Sequence, residues 1–104
     1  MQNINAQNLY QQLKNEENIL LIDVREPHEH QQYNIGGKLI PMSTVMQNTG
    51  EIPNDRPVIF YCQKGIRSAI VIQRLQEKFG YNNLLNLTGG IEAWQKQYPG
   101  PFVL

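Results

Sequence analysis

The chain has 104 residues, nine Lys plus Arg against nine Asp plus Glu, a formal net charge of zero and one cysteine, enough for one ordinary hydrophobic core and one domain. No basic block follows a phosphate backbone, so nucleic acid is not an expected partner. One cysteine excludes an internal disulfide, a C-x-x-C redox pair and a cysteine-cluster metal site, and it fits a reducing compartment.

The opening MQNINAQNLY carries no basic segment followed by an apolar one, and no apolar run approaches the roughly 18 residues of a membrane span. No membrane partner and a cytoplasmic location are therefore expected. Ala6, Leu9, Tyr10 and Leu13 recur at helical spacing after Asn5, a suitable N-cap, which predicts a helix over 6–15. Residues 19–22 are continuously apolar and end at Asp23, as in a strand covered on both faces. Pro27 suits the first turn of a short helix over 27–33. Residues 38–40, ended by Pro41, and 58–61, after Pro57, read as strands, and 83–87 as the last. Between 68 and 79 the stripe Val71, Ile72, Leu75 and Phe79 predicts a helix that stops at Gly80. Over 90–98, Ile91, Trp94 and Tyr98 share one helical face, and the two aromatics read as core.

Strands alternating with helices predict an α/β fold on a mainly parallel sheet, whose ligands gather at the carboxyl ends of the strands. Two polar clusters follow strands there. The first is Asp23-Val24-Arg25-Glu26; the second lies in IFYCQKGIRSAIVIQRL, residues 59–75. A free cysteine at a strand end is ordinarily a small buried apolar residue. Cys62, however, is followed by Lys64, Arg67 and a helix start, the surroundings that favour a thiolate. If residues 63–67 curl and enter the helix near Ser68, their N–H groups and the helix dipole hold an anion. Gly65 permits the curl. Lys64 and Arg67 supply charge, or are solvated surface cations; Arg67 has the fork to bind carbonyls or a carboxylate. Ser68 is an N-cap by residue type, and Gln63 and Ile66 line the mouth.

The loop CQKGIRS resembles the active-site loop of the rhodanese family, the single-domain sulfurtransferases. LLIDVREPHEH, NIGGKLIP and LTGGIEAW are similar to that family's other segments, in its order, from about Ile4 to Trp94. Tyr33-Asn34 stands where many members carry Gly-His, and Lys38 where a small residue is common. The resemblance implies a three-layer fold with a five-stranded parallel sheet flanked by helices on both faces. It implies Cys62 as nucleophile and sulfur carrier, with Gln63, Lys64, Gly65, Ile66 and Arg67 as the substrate-binding loop. A small anionic donor such as thiosulfate, or a protein persulfide, would load Cys62, and cyanide, a thiol or a sulfur-carrier protein would unload it. No cofactor or metal is expected. Lys64 matches a lysine that serves the anionic donor in thiosulfate-using relatives, and Arg67 shapes the loop. Tyrosine-type phosphatases on the same fold place five residues between Cys and Arg; here there are four. A protein-to-protein relay and a non-catalytic anion- or partner-binding module remain as alternatives.

Asp23, Arg25 and Glu26 read as an acid/base set or as a brace beside the cysteine loop, the brace being favoured, with Glu29 joining it. His28 and His30 are two apart and off a common helix face, so both are expected to be exposed.

Overall fold

The computed structural model describes residues 1–104. Its sheet contains β1 (Gln2–Ile4), β2 (Leu20–Asp23), β3 (Lys38–Leu39), β4 (Val58–Tyr61) and β5 (Leu84–Leu87) in the order β1-β5-β4-β2-β3. Every pairing is parallel. The helices are α1 (Ala6–Lys14), α2 (Pro27–Gln32), α3 (Ile66–Phe79) and α4 (Gly90–Gln97), with two short 3-10 turns, Met42–Gln47 and Thr49–Glu51, between β3 and β4.

The central strand explains the three layers. Successive strand residues point to opposite faces, and β4 is buried throughout. Val58, Phe60 and Cys62 pack with Val71, Ile72 and Leu75 of α3 and with Val45 and Ile52 beneath the 3-10 turns. Ile59 and Tyr61 pack on the other face with Leu9 of α1 and Ile91 and Trp94 of α4. A strand covered on both faces can be apolar at every position, as β4 is.

Local chemistry sets the helix ends. Asn5 caps α1 by accepting from the Asn8 N–H at 2.7 Å, the cap the sequence predicts. Pro27 opens α2 behind a capping box between Glu26 and Glu29. α3 begins at Ile66, two residues before the expected start, because Gly65 takes the left-handed conformation (φ 87°) and ends the loop. Ser68 is thus not the N-cap; it lies in the first turn, fully buried. β1 was not anticipated from periodicity. It is a three-residue edge strand with only Ile4 buried, so it carries no repeating pattern.

Candidate active site

Cys62 follows β4 directly, at the carboxyl edge of the sheet, and is 1% exposed. Its Sγ accepts from the Gly65 N–H at 3.1 Å and the Ser68 N–H at 3.4 Å, and lies 3.3 Å from the Ser68 hydroxyl. The Ser68 N–H is one of the first-turn donors of α3 that no helical carbonyl can reach. The N–H groups of Lys64, Ile66 and Arg67 likewise have no acceptor within the chain. The loop is therefore a run of backbone donors wound beside a sulfur.

The other side of the loop is held by α4. The Ile91 N–H donates to the Cys62 carbonyl and the Glu92 N–H to the Gln63 carbonyl, each at 2.9 Å. With these carbonyls drawn to the α4 N-terminus, the donors of the loop are left for the sulfur. Gly90 makes this approach achievable: a Cβ there would collide with the Cys62 carbonyl oxygen and stand 2.7 Å from the Gln63 carbonyl.

Asn86 of β5 supplies a third support that sequence reading missed. Its Nδ2 donates to the Gly65 carbonyl at 3.0 Å, and its Oδ1 accepts from the Ser68 hydroxyl at 2.5 Å. The available signal was one amide side chain in an otherwise apolar strand, Leu-Leu-Asn-Leu, at the sheet edge that also carries Cys62. Ser68, expected as a cap, instead links the sulfur to this amide.

The first polar cluster forms a neighbouring brace. Asp23 is buried and accepts from the Arg25 Nε and Nη2 at 3.0 and 2.9 Å. Burial opposes the Arg25 charge, but the Asp23 hydrogen bonds and charge outweigh it, and the net shift of Arg25 is upward. Arg25 also donates to the Tyr33 carbonyl at 2.6 Å and reaches Gln63 Oε1 at 3.4 Å, tying the brace to the loop. His28 is exposed, as expected, but His30 is not. It is half-buried, with Nδ1 2.8 Å from Asp23 Oδ2, because α2 turns it back onto the end of β2. Glu29 binds Arg67 through two bonds of 2.9 Å. Those bonds hold the Glu29 carboxyl at about 2 against desolvation that would raise it, and they raise Arg67 in turn. Glu26 meets Glu29 only within the capping box.

Glu29, Cys62, Gln63, Lys64, Ile66 and Arg67 line a cleft of about 360 Å³. Arg67 is taken by Glu29, and Lys64 forms no ion pair, so Lys64 is the free cation at the mouth. A second cavity of about 310 Å³, between Tyr10, Trp94, Tyr98 and Phe102, contains no cysteine, histidine or charged group.

A family model described as Rhodanese-like domain matches residues 5–97. The chain is 40% identical over 94 residues to a sulfurtransferase of Allochromatium vinosum, covering 89% of this chain and 87% of that one. It is 29% identical over 89 residues to the thiosulfate sulfurtransferase GlpE of Coxiella burnetii, covering 85% and 82%. Other relatives are longer, and the chain spans 59% or 22% of their length. The crystal structure of a rhodanese-like domain protein from Staphylococcus aureus superposes with a TM-score of 0.83 at 30% identity, over 90% of this chain and 91% of that one. With the cysteine loop at the carboxyl edge of a five-stranded parallel sheet, and with sulfurtransferases among its relatives, the chain belongs to the rhodanese-like domain family.

Proposed function

We propose that the chain moves sulfane sulfur through a persulfide on Cys62. The observation that carries this reading is the pair of backbone N–H groups, from Gly65 and Ser68, directed at a cysteine sulfur that opens on a cleft with a free lysine. Such donors stabilise negative charge on the sulfur as it attacks, and the partnerless N–H groups of Lys64, Ile66 and Arg67 suit the anionic outer sulfur. With thiosulfate, the Cys62 thiolate attacks the outer sulfur. The S–S bond to the sulfonate breaks, sulfite leaves with the electron pair, and Cys62–S–S⁻ remains. Cyanide then takes the outer sulfur as thiocyanate and restores the thiolate. Gln63, Lys64, Gly65, Ile66 and Arg67 form the binding loop in this reading, while Asp23, Arg25, Glu29 and Ser68 support it.

Two features speak against phosphatase chemistry. Only four residues separate Cys62 from Arg67, and the Arg67 fork is already filled by Glu29. A protein persulfide as physiological donor is the second reading: the Ile66 side chain, 64% exposed on the cleft that also holds Lys64, is apolar surface that a docked protein donor would cover.

The test is thiocyanate formation from thiosulfate and cyanide. The parent is expected to turn over and Cys62→Ser to lose all measurable rate. A cysteine variant as active as the parent would overturn the reading. A rate far higher with a persulfidated protein donor than with thiosulfate would assign the chain to a relay. Retention of partner binding by Cys62→Ser, with no turnover by the parent, would assign it to a binding module.

A further inference from the structure

The atoms beneath Cys62 fix the direction of a hydrogen-bond chain. The Gly65 carbonyl can only accept, so the Asn86 atom 3.0 Å from it is the amide nitrogen, and Oδ1 faces Ser68. Oδ1 can also only accept, so the Ser68 hydroxyl, 2.5 Å away, gives its one proton to Asn86. What Ser68 turns toward Sγ, at 3.3 Å, is an oxygen lone pair. A lone pair receives a thiol S–H but repels a thiolate. Neither escape is favourable. Flipping the amide sets Oδ1 against the Gly65 carbonyl, and turning the hydroxyl to sulfur sets two oxygens facing each other without a proton. Cys62, Ser68 and Asn86 are all buried, so such a mismatch is costly.

We propose that Asn86 is a positioning residue that, by holding the Ser68 proton, disfavours the bare Cys62 thiolate and favours the sulfur-loaded site over that thiolate. The consequence for loading rests on the sulfur-transfer reading above. In Cys62–S–S⁻ the charge lies on the outer sulfur, and the inner sulfur beside Ser68 is neutral. Loading therefore removes the repulsion that the thiolate suffers, while the Gly65 and Ser68 N–H groups remain as the donors that make the thiolate accessible at all.

The test compares the parent, Ser68→Ala, Asn86→Ala and the double variant, reading the alkylation rate of Cys62 by iodoacetamide against pH. The charged groups around the sulfur are the same in all four: Lys64 in the loop, Arg67 on α3, Glu29 and His30 on α2, and Asp23 and Arg25 at the end of β2. From α4, Glu92 meets the loop through its backbone. Ser68→Ala alone is expected to lower the midpoint by about one pH unit, since it removes the lone pair. Asn86→Ala is also expected to lower it, because the freed hydroxyl can donate to the thiolate. In that background Ser68→Ala is expected to raise it. A loop merely loosened by loss of Asn86 cannot produce that reversal of sign.

A rise on Ser68→Ala in the parent, or the same sign in both backgrounds, would overturn the proposal. Should Asn86→Ala fail to fold, the sign for Ser68→Ala alone decides: a fall supports, and a rise or no change overturns. With thiosulfate and sulfite at a fixed ratio, and at a pH above the alkylation midpoints of both proteins so that the unloaded site is thiolate in each, the Asn86→Ala protein is expected to carry less persulfide than the parent. If no protein takes up sulfur, the sulfur-transfer reading falls, and the alkylation signs still decide which way the Ser68 proton points.

Discussion

Lys64 and Arg67 are three residues apart in one loop and differ in what surrounds them. Arg67 is locked to Glu29 by two hydrogen bonds, whereas Lys64 is exposed and unpaired. Lys64→Ala is therefore expected to raise the KM for thiosulfate roughly fivefold with kcat nearly unchanged, the size of an exposed charge interaction, and the effect should shrink with added salt. An equal fall in kcat would mean that Lys64 acts on the reacting atoms instead. The Glu29 carboxyl is held at about 2, below the ordinary 4.5, chiefly by the Arg67 hydrogen bonds. Because the folded value is depressed, this pair stabilises the protein above pH 4.5, and its contribution is lost as pH falls through 4.5 towards 2. Thermal melts are expected to show a flatter acid limb for Glu29→Gln than for the parent in that window. Parallel limbs would show that the pair does not couple to folding. At this scale the sequence was readable where residues are neighbours in the chain: Cys62, Lys64, Gly65 and Arg67 lie within six positions. Asn86, by contrast, meets the loop across 18 and 21 residues, and His30 meets Asp23 only once α2 has folded back.

At the scale of elements, the loop is clamped between the N-terminal turns of two helices that use their free N–H groups differently. α3 turns its Ser68 N–H onto the sulfur, and α4 turns those of Ile91 and Glu92 onto the loop carbonyls. Gly90→Ala tests the second contact. The new Cβ has backbone against it, and φ at this position is 61°, so the helix and loop must part. A loss of roughly 1–3 kcal/mol in unfolding free energy is expected, with sulfur uptake slowed at least as much as in Lys64→Ala. Parent-like stability and uptake would show that the α4 contact does not shape the loop. The sequence places Gly89-Gly90 at the start of the helix read over 90–98, but what the second glycine must avoid belongs to another strand's loop. The α3 start was misplaced for a related reason: Ser68 is a good cap by type, yet the left-handed Gly65 ended the loop first and freed Ser68 for the sulfur.

For the whole molecule, the sheet places the carboxyl ends of β2, β4 and β5 side by side, which brings Asp23, Cys62 and Asn86 to one edge. Fold class was legible because the strands following residues 19 and 57 are apolar at nearly every position, the mark of burial on both faces. β1, exposed at two of its three residues, left no such mark. Trp94 shows how the core reaches the site. It is buried on the α4 face among Tyr10, Tyr98 and Phe102 and anchors the helix whose first turn holds the loop. Trp94→Ala is expected to cost about 3–5 kcal/mol by denaturant unfolding; a cost below about 1 kcal/mol would show that Trp94 does not anchor α4. Whether Cys62 carries sulfur is read straight from the mass of the intact, reduced chain by mass spectrometry. After brief exposure to thiosulfate, the parent is expected to gain one sulfur atom that cyanide then removes, while Cys62→Ser gains none. No gain by the parent, with thiosulfate or with a persulfide donor, or an equal gain by the serine variant, would contradict it.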